Sequence, residues 1–207
     1  MKAKHNRSPG RPRSSDKEQP TEETIIQAAS RLFLENSYQN VSVDDVAKKC
    51  NVTKATVYYY YDSKADLFTE TMVQMMNRIV EKVHSMLEED LPLRKRFLNV
   101  TEAHLKATVD IDMDKFMREV KNTLTAEQIK KMHEAEANMH RAIEKAFVDA
   151  MAEGEIREIN ITFATQAYLS LLKVGSYKTA DNDSIFSSFD ETAEQIVQFF
   201  WQGLFSE

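Results

Sequence analysis

The segment 41–68, VSVDDVAKKCNVTKATVYYYYDSKADLF, constrains the fold of this chain more than any other stretch. It predicts two short helices joined by a tight turn, followed by the start of a longer helix. Apolar side chains of the first helix recur at the i, i+3, i+4, i+7 spacing of one buried face: Val43, Val46, Ala47 and Cys50. Ser42 is the expected cap, and Asp44 and Asp45 supply the negative charge that a helix start favours. Asn51 is expected to end this helix, because asparagine tolerates the left-handed conformation.

The second helix is predicted to begin at Thr53, with Val57 as its one clear inward residue. Its other side chains are mostly polar, basic or aromatic, a composition that suits a recognition helix anchored by one stripe. Ser63 and Asp66 then predict the start of the third helix, in a weaker relative of the capping box. The helix dipole disfavours Lys64 in that first turn, so this lysine indicates an anion nearby, such as a phosphate.

An earlier segment, AASRLFLEN at 28–36, is predicted to form a helix before this stretch. Together the two segments resemble the DNA-binding half of the tetracycline-repressor (TetR) family of bacterial regulators. The resemblance covers roughly 24–68, and its segments fall in the family's order and spacing. Asn51, Ala55 and Tyr61 depart from the family's usual residues, and Asn51 and Ala55 fit their sites sterically. The Tyr61 ring is kept, but its hydroxyl needs a partner or solvent.

The resemblance, together with side-chain chemistry, assigns the expected DNA contacts. Thr53 and Lys54 are expected to reach base edges. Phosphate contacts are expected from Ser42, Thr56, Tyr58, Tyr60 and Lys64.

Composition favours an all-α protein. The 207 residues include only four glycines and four prolines, and no alternating apolar run predicts a strand. The single cysteine excludes a disulfide framework and favours a reducing, cytoplasmic setting. No apolar run approaches the ~18 residues of a membrane helix, and no signal peptide is visible, so no membrane partner is expected.

Charge is unevenly distributed along the chain. The net charge is -6, yet residues 1–20 carry six basic against two acidic side chains. We expect this first segment to be a disordered basic arm, in which Arg11 and Arg13 of PGRPR can lie in a DNA minor groove. A merely solubilising tail is the alternative.

The sequence predicts three regions: the arm 1–20, a three-helix DNA-binding head 21–68, and a helical effector-binding and dimerisation body 69–207. A long helix runs on from Phe68, Pro92 marks a break, and Thr125 with Gln128 forms a capping box. Gly154 ends the helix that follows. Two C-terminal helices, the last starting at Ser188, are expected to pair with their copies in a four-helix bundle, and the resemblance implies the same dimer.

The resemblance also implies an effector pocket in the body, suited to a small apolar ligand. Methionine and aromatic side chains would form its walls, with a few polar tips. The expected residues are Met76, Phe97, His104, Phe116, Met117, Met139, Phe147 and Tyr168.

No Gly-rich phosphate loop, nucleophile elbow or Cys-rich site favours an enzyme or a cofactor. His133, Glu136 and His140 share a helix face, but charged neighbours favour a solvated surface over a metal site. The expected function is therefore that of a homodimeric, ligand-released repressor bound to a palindromic operator in double-stranded DNA. The alternative is a DNA-bound adaptor controlled by a protein partner.

Overall fold

A computed structural model of the chain describes residues 21–108, 120, 122–175, 177 and 188–205. The described residues form eight helices and no strand, which confirms the all-α prediction. The helices are α1 (Thr21–Asn40), α2 (Val43–Lys49), α3 (Lys54–Tyr60), α4 (Lys64–Leu87), α5 (Leu93–Thr108), α6 (Ala126–Ala152), α7 (Ile161–Val174) and α8 (Phe189–Phe205). The basic arm, with Arg11 and Arg13, lies outside the described residues.

The segment from Ser42 to Lys54, in the middle of the head, shows how local sequence sets the helix boundaries. Ser42 and Asp45 form a reciprocal capping box at the start of α2. Asn51 adopts a φ of 55° and ends α2, as expected. Thr53 is the cap of α3 and not its first helical residue, so α3 begins at Lys54. Cys50 was expected on a buried face but is only half-buried, with its Sγ 3.6 Å from the Thr24 carbonyl oxygen.

Helix α1 is broken near its end. Ser37 has a φ of 61°, a conformation that costs free energy for a residue with a side chain. The break turns Tyr38 inward, where its ring lies 5.0 Å from that of Phe68 and 5.9 Å from that of Phe33. Phe33 and Phe68 meet edge to face at 5.1 Å. Such ring pairs contribute roughly 0.5–1.5 kcal/mol beyond burial, which offsets the local strain.

The core of the head extends into the body. Apolar residues of α1 to α4 form one cluster, named here the head cluster, which also includes Met132 of α6 and Val120. Helix α1 packs on α4, and α4 packs most extensively on α6. The head is therefore joined to the body by a continuous apolar core.

A second cluster fills the body. The rings of Phe97, Phe147, Tyr168 and Phe200 pack on one another with centroids 4.7 to 6.1 Å apart. Helices α5 and α8 pack together at its side. Ile79 belongs to the apolar pattern that continues along α4 after Phe68, which predicts burial, but it is 43% exposed.

A partly buried ion pair fixes the turns at the far end of the body. The guanidinium of Arg96 donates to the Glu155 carboxylate at 2.8 Å and to the Leu87 carbonyl at 2.8 Å. Glu155 also accepts from the backbone N–H of Leu93. Glu155 follows Gly154, whose φ of 73° ends α6 as predicted. One carboxylate therefore holds the end of α6 against the start of α5.

We predict that Glu155→Ala destabilises the protein by about 2 kcal/mol, because it leaves the Arg96 charge buried without its partner. The value is below that of a fully buried pair, since the Glu155 side chain is 29% exposed. Glu158→Ala, which removes an exposed carboxylate of the same turn, is the matched control. Urea unfolding measures both; equal midpoints for the two variants would contradict the prediction.

Candidate DNA-binding surface

Helix α3 offers nearly all of its side chains to solvent. Val57 is 1% exposed and is the only buried residue of this helix. Tyr58, Tyr59 and Tyr60 are 44%, 82% and 37% exposed. The helix carries no acidic residue, so its free face presents hydroxyls, rings and one cation. These are the groups that bind phosphates and base edges.

The start of α3 is held by two threonines. The Thr53 hydroxyl accepts from the Thr56 backbone N–H at 3.1 Å, and the two hydroxyl oxygens lie 2.9 Å apart. Thr53 is exposed and Thr56 is half-buried. Both hydroxyls therefore have a structural role in addition to the DNA contacts expected from the sequence.

Lys54 is paired across the turn with α2. Its Nζ lies 3.0 Å from the Asp44 carboxylate, and both side chains are half-exposed. The hydrogen bond and the charge of Asp44 raise the pKa of Lys54, so this lysine stays protonated. A base or phosphate that binds Lys54 has to compete with this carboxylate.

Ser42 lies at the edge of the same surface. Its hydroxyl donates to the Asp45 carboxylate at 2.6 Å, and the Asp45 backbone N–H donates back to that hydroxyl at 3.2 Å. The Asp45 carboxylate also accepts from the Ser42 backbone N–H, and these bonds lower the pKa of Asp45. The expected phosphate contact of Ser42 would thus come from a side chain already fixed by its cap.

Lys64, expected near a phosphate, lies over an aromatic ring. Its Nζ is 4.2 Å from the centroid of Tyr38, a cation–π geometry. Burial lowers the pKa of Lys64, and the nearby charge of Asp45 opposes that effect. The ring fixes the lysine at the N-terminus of α4, where the helix dipole alone would disfavour it.

Tyr59 is the surface residue that we did not predict. The four consecutive tyrosines do not reveal by themselves which ring is free. Their position relative to Val57 does, because two residues along a helix rotate a side chain by about 200°, to the opposite face. Tyr59 packs edge to face on Tyr60 at 5.1 Å and is otherwise open. Tyr61 follows the helix and is buried, with its pKa raised first by burial and then by Glu22.

The residues expected around an effector fall into three groups. Phe97, Phe147 and Tyr168 are fully buried and pack against each other. Met76, His104 and Met139 are half-buried, and burial lowers the pKa of His104. Phe116 and Met117 lie outside the described residues.

A small crevice opens between α4 and α6, and none of the expected effector residues lines it. Its walls are His84, Leu87, Glu88, Ala142, Lys145, Ala146 and Asp149.

His140 lies 3.3 Å from the side-chain nitrogen of Gln166. In the described part of the chain, no group of three or more His, Cys, Asp or Glu side chains is placed to hold a metal ion. None of the described helices combines the length and apolar character needed to cross a bilayer.

Comparison with known proteins places this surface in context. Residues 25–71 match the family model described as bacterial regulatory proteins, tetR family. The biofilm operon icaADBC negative transcriptional regulator IcaR of Staphylococcus epidermidis is 33% identical over 57 residues, or 28% of this chain and 31% of that protein. The matched segment spans only 26 to 37% of the length of the curated relatives.

The fold is shared along most of the chain. A FadR regulator from Bacillus subtilis, solved with stearoyl-CoA, superposes with a TM-score of 0.70 at 18% identity, covering 87% of this chain and 98% of that one. AibR, solved with isovaleryl coenzyme A and operator DNA, gives 0.61 at 21% identity, covering 87% and 97%. The helical arrangement is therefore shared with these two proteins.

We predict that Tyr59→Ala leaves stability within about 0.5 kcal/mol, because the side chain is exposed. DNA affinity should fall by roughly 0.5–1.5 kcal/mol through the loss of one hydrogen bond. Tyr177→Ala, which removes a tyrosine that is 59% exposed in the body, is the control. Fluorescence anisotropy on duplex DNA measures the affinity of each variant. Equal affinities for the two variants would show that Tyr59 lies outside the interface.

Proposed function

Because residues 25–71 match the tetR-family model, we propose that the protein is a TetR-type, sequence-specific regulator of transcription. The observation that carries the proposal is the anchoring of α3, which uses one buried valine and leaves its polar face free. A helix held in this way can enter a major groove without disturbing the core. Repression is the proposed outcome, supported by the relative IcaR, which is named a negative regulator.

The proposed contacts divide by position on the head. Thr53 and Lys54, at the start of α3, read base edges. Ser42, Thr56, Tyr58, Tyr60 and Lys64, joined by Tyr59, hold phosphates around them. Arg11 and Arg13 of the arm would add minor-groove contacts.

We propose that the protein acts as a homodimer through α7 and α8. These helices expose large apolar side chains, since Phe163 is 63% and Phe199 is 70% exposed. The rings of Trp201 and Phe205 lie 4.6 Å apart, tilted at 44° to each other, and both residues pack partly on the body core. Exposed apolar patches of this kind are typical of subunit interfaces. Two heads in a symmetric pair would read a palindrome with half-sites about 34–36 Å apart.

The proposed effector is a small apolar ligand bound in the body, and it would release the DNA. A ligand can do this only by binding more tightly to a body conformation that holds DNA poorly. Two proteins of the same fold were solved with acyl-CoA thioesters, so these are the first compounds to test. A ligand present at 100 times its Kd should stabilise the protein by about 2.7 kcal/mol.

A second candidate is a regulator controlled by a protein partner. It is favoured by the tight packing of Phe97, Phe147 and Tyr168, because those rings fill the space between them. Thermal melts with acyl-CoA thioesters and free fatty acids separate the two candidates. Stabilisation together with release of DNA supports the ligand-controlled regulator, and unchanged melting with every compound supports the partner-controlled one.

Selection of bound duplexes from random DNA tests the proposed function. The expected result is an inverted repeat whose half-sites are separated by about one helical turn. Recovery of unrelated sequences, with affinity that depends only on salt, would overturn it.

We predict that Lys54→Ala and Lys64→Ala have different effects on DNA binding. Lys54→Ala should relax preference at one base position by roughly 1–3 kcal/mol, since it removes a base contact. Lys64→Ala should weaken binding to all duplexes and reduce the salt slope by about one, since it removes a phosphate contact. Affinity measured across a salt series separates them, and an unchanged slope for Lys64→Ala would assign this lysine to the Tyr38 ring alone.

We predict that Phe199→Asp produces monomers, because a desolvated charge opposes burial of the apolar face. Tyr177→Asp places the same charge at an exposed tyrosine outside α7 and α8 and should leave the assembly unchanged. Sedimentation velocity measures the masses. Dimers of equal stability in both variants would place the interface elsewhere.

A further inference from the structure

A hydrogen-bonded link joins the N-terminus of α4 to that of α6. The Gln128 side-chain amide donates to the Asp66 carboxylate, with its Nε2 2.7 Å from Asp66 Oδ1. Gln128 is 8% exposed and Asp66 is half-buried, so this bond is partly shielded from water. The two residues are 62 positions apart in the chain, and they connect the helix that follows the recognition helix to the first turn of α6.

Each end of the link is also a helix cap. Gln128 Oε1 accepts from the Thr125 backbone N–H at 2.8 Å, and Asp66 Oδ2 accepts from the Ser63 hydroxyl at 2.7 Å. The Ser63 hydroxyl in turn accepts from the Asp66 backbone N–H at 3.1 Å. Both partners are therefore held in one orientation by their own helix. A hydrogen bond between two fixed groups transmits displacement better than one between mobile side chains.

The link lies beside the proposed phosphate contact and next to the apolar join. Lys64 precedes Asp66 by two residues and lies over the Tyr38 ring. Burial and then the charge of Asp66 raise the pKa of Tyr38. One turn beyond Gln128, Met132 belongs to the head cluster, which also contains Phe68 and Met72. A movement of the first turn of α6 must therefore break this bond or carry the start of α4 with it.

We propose that Gln128 and Asp66 are positioning residues for DNA binding: their bond fixes the tilt of the head on the body, and so the distance between the two recognition helices of a dimer. This inference rests on the proposed function. It identifies the first turn of α6 as the place where a change in the body is passed to the head. The bond itself would touch no DNA.

The test uses Gln128→Glu in the full-length protein. Glutamate keeps the oxygen that caps α6, but it replaces the donor to Asp66 with a second carboxylate oxygen. Gln128→Glu combined with Asp66→Asn restores the bond with its polarity reversed, because the asparagine nitrogen can donate to the glutamate and its oxygen can accept from Ser63. Thr125→Ala is the matched control, since it removes a capping hydroxyl of α6 and leaves the link intact.

Affinity is measured for the selected operator and for versions with the spacer changed by one or two base pairs. The unmodified protein should prefer one spacing. Gln128→Glu should reduce that preference roughly tenfold, as the loss of one charge-assisted hydrogen bond implies. The double variant should restore the preference, and Thr125→Ala should retain it. A spacing preference unchanged by Gln128→Glu would overturn the proposal.

Hydrogen exchange without DNA provides a readout independent of the proposed function. Gln128→Glu should speed exchange in the first turns of both α4 and α6, whereas Thr125→Ala should speed it in α6 alone. Faster exchange confined to α6 in Gln128→Glu would show that the bond does not couple the helices and would overturn the inference, whatever the DNA result. Coupled exchange in a protein without sequence preference would instead overturn the proposed function, and the positioning role with it.

Discussion

The packing of Phe33, Tyr38 and Phe68 is the interaction on which the rest of the structure depends. These three rings bring α1 onto the start of α4, and their cluster continues through Met132 into α6. A head of this size has little apolar surface of its own, so it gains stability by sharing a core with the body. The same contact gives the body a mechanical connection to the candidate DNA-binding surface.

The surface of the head is shaped by what this core leaves free. Helix α3 needs only Val57 and the Thr53 cap to stay in place, so its tyrosines remain available. Tyr38 has two roles: its ring packs in the core and also supports the cation of Lys64. The strained backbone at Ser37 is explained by this arrangement, because it turns Tyr38 inward beneath Lys64.

Local features could be predicted from the sequence, and long-range pairs could not. The cap of Ser42, the left-handed Asn51 and the capping box of Thr125 follow from residues within four positions of each other. The pairs Lys54–Asp44, Lys64–Tyr38 and Gln128–Asp66 join separate helices, and their side chains are ordinary when read one at a time. Apolar residues at helical spacing predict one face of a helix, but they do not predict how much of that face the neighbouring helices cover. The half-buried Cys50 and the exposed Ile79 show this. The exposure of Tyr59 could have been predicted from the helical rotation between it and the buried Val57, but the run of four tyrosines hides it.

The central claim is that two of these heads, held at a fixed distance by the body, read one duplex. Hydroxyl-radical footprinting of the full-length protein on its selected duplex measures this directly. The account predicts two equivalent protected patches, with centres about 10 base pairs apart and related by the symmetry of the site. A single patch, or uniform weak protection along the duplex, would contradict it.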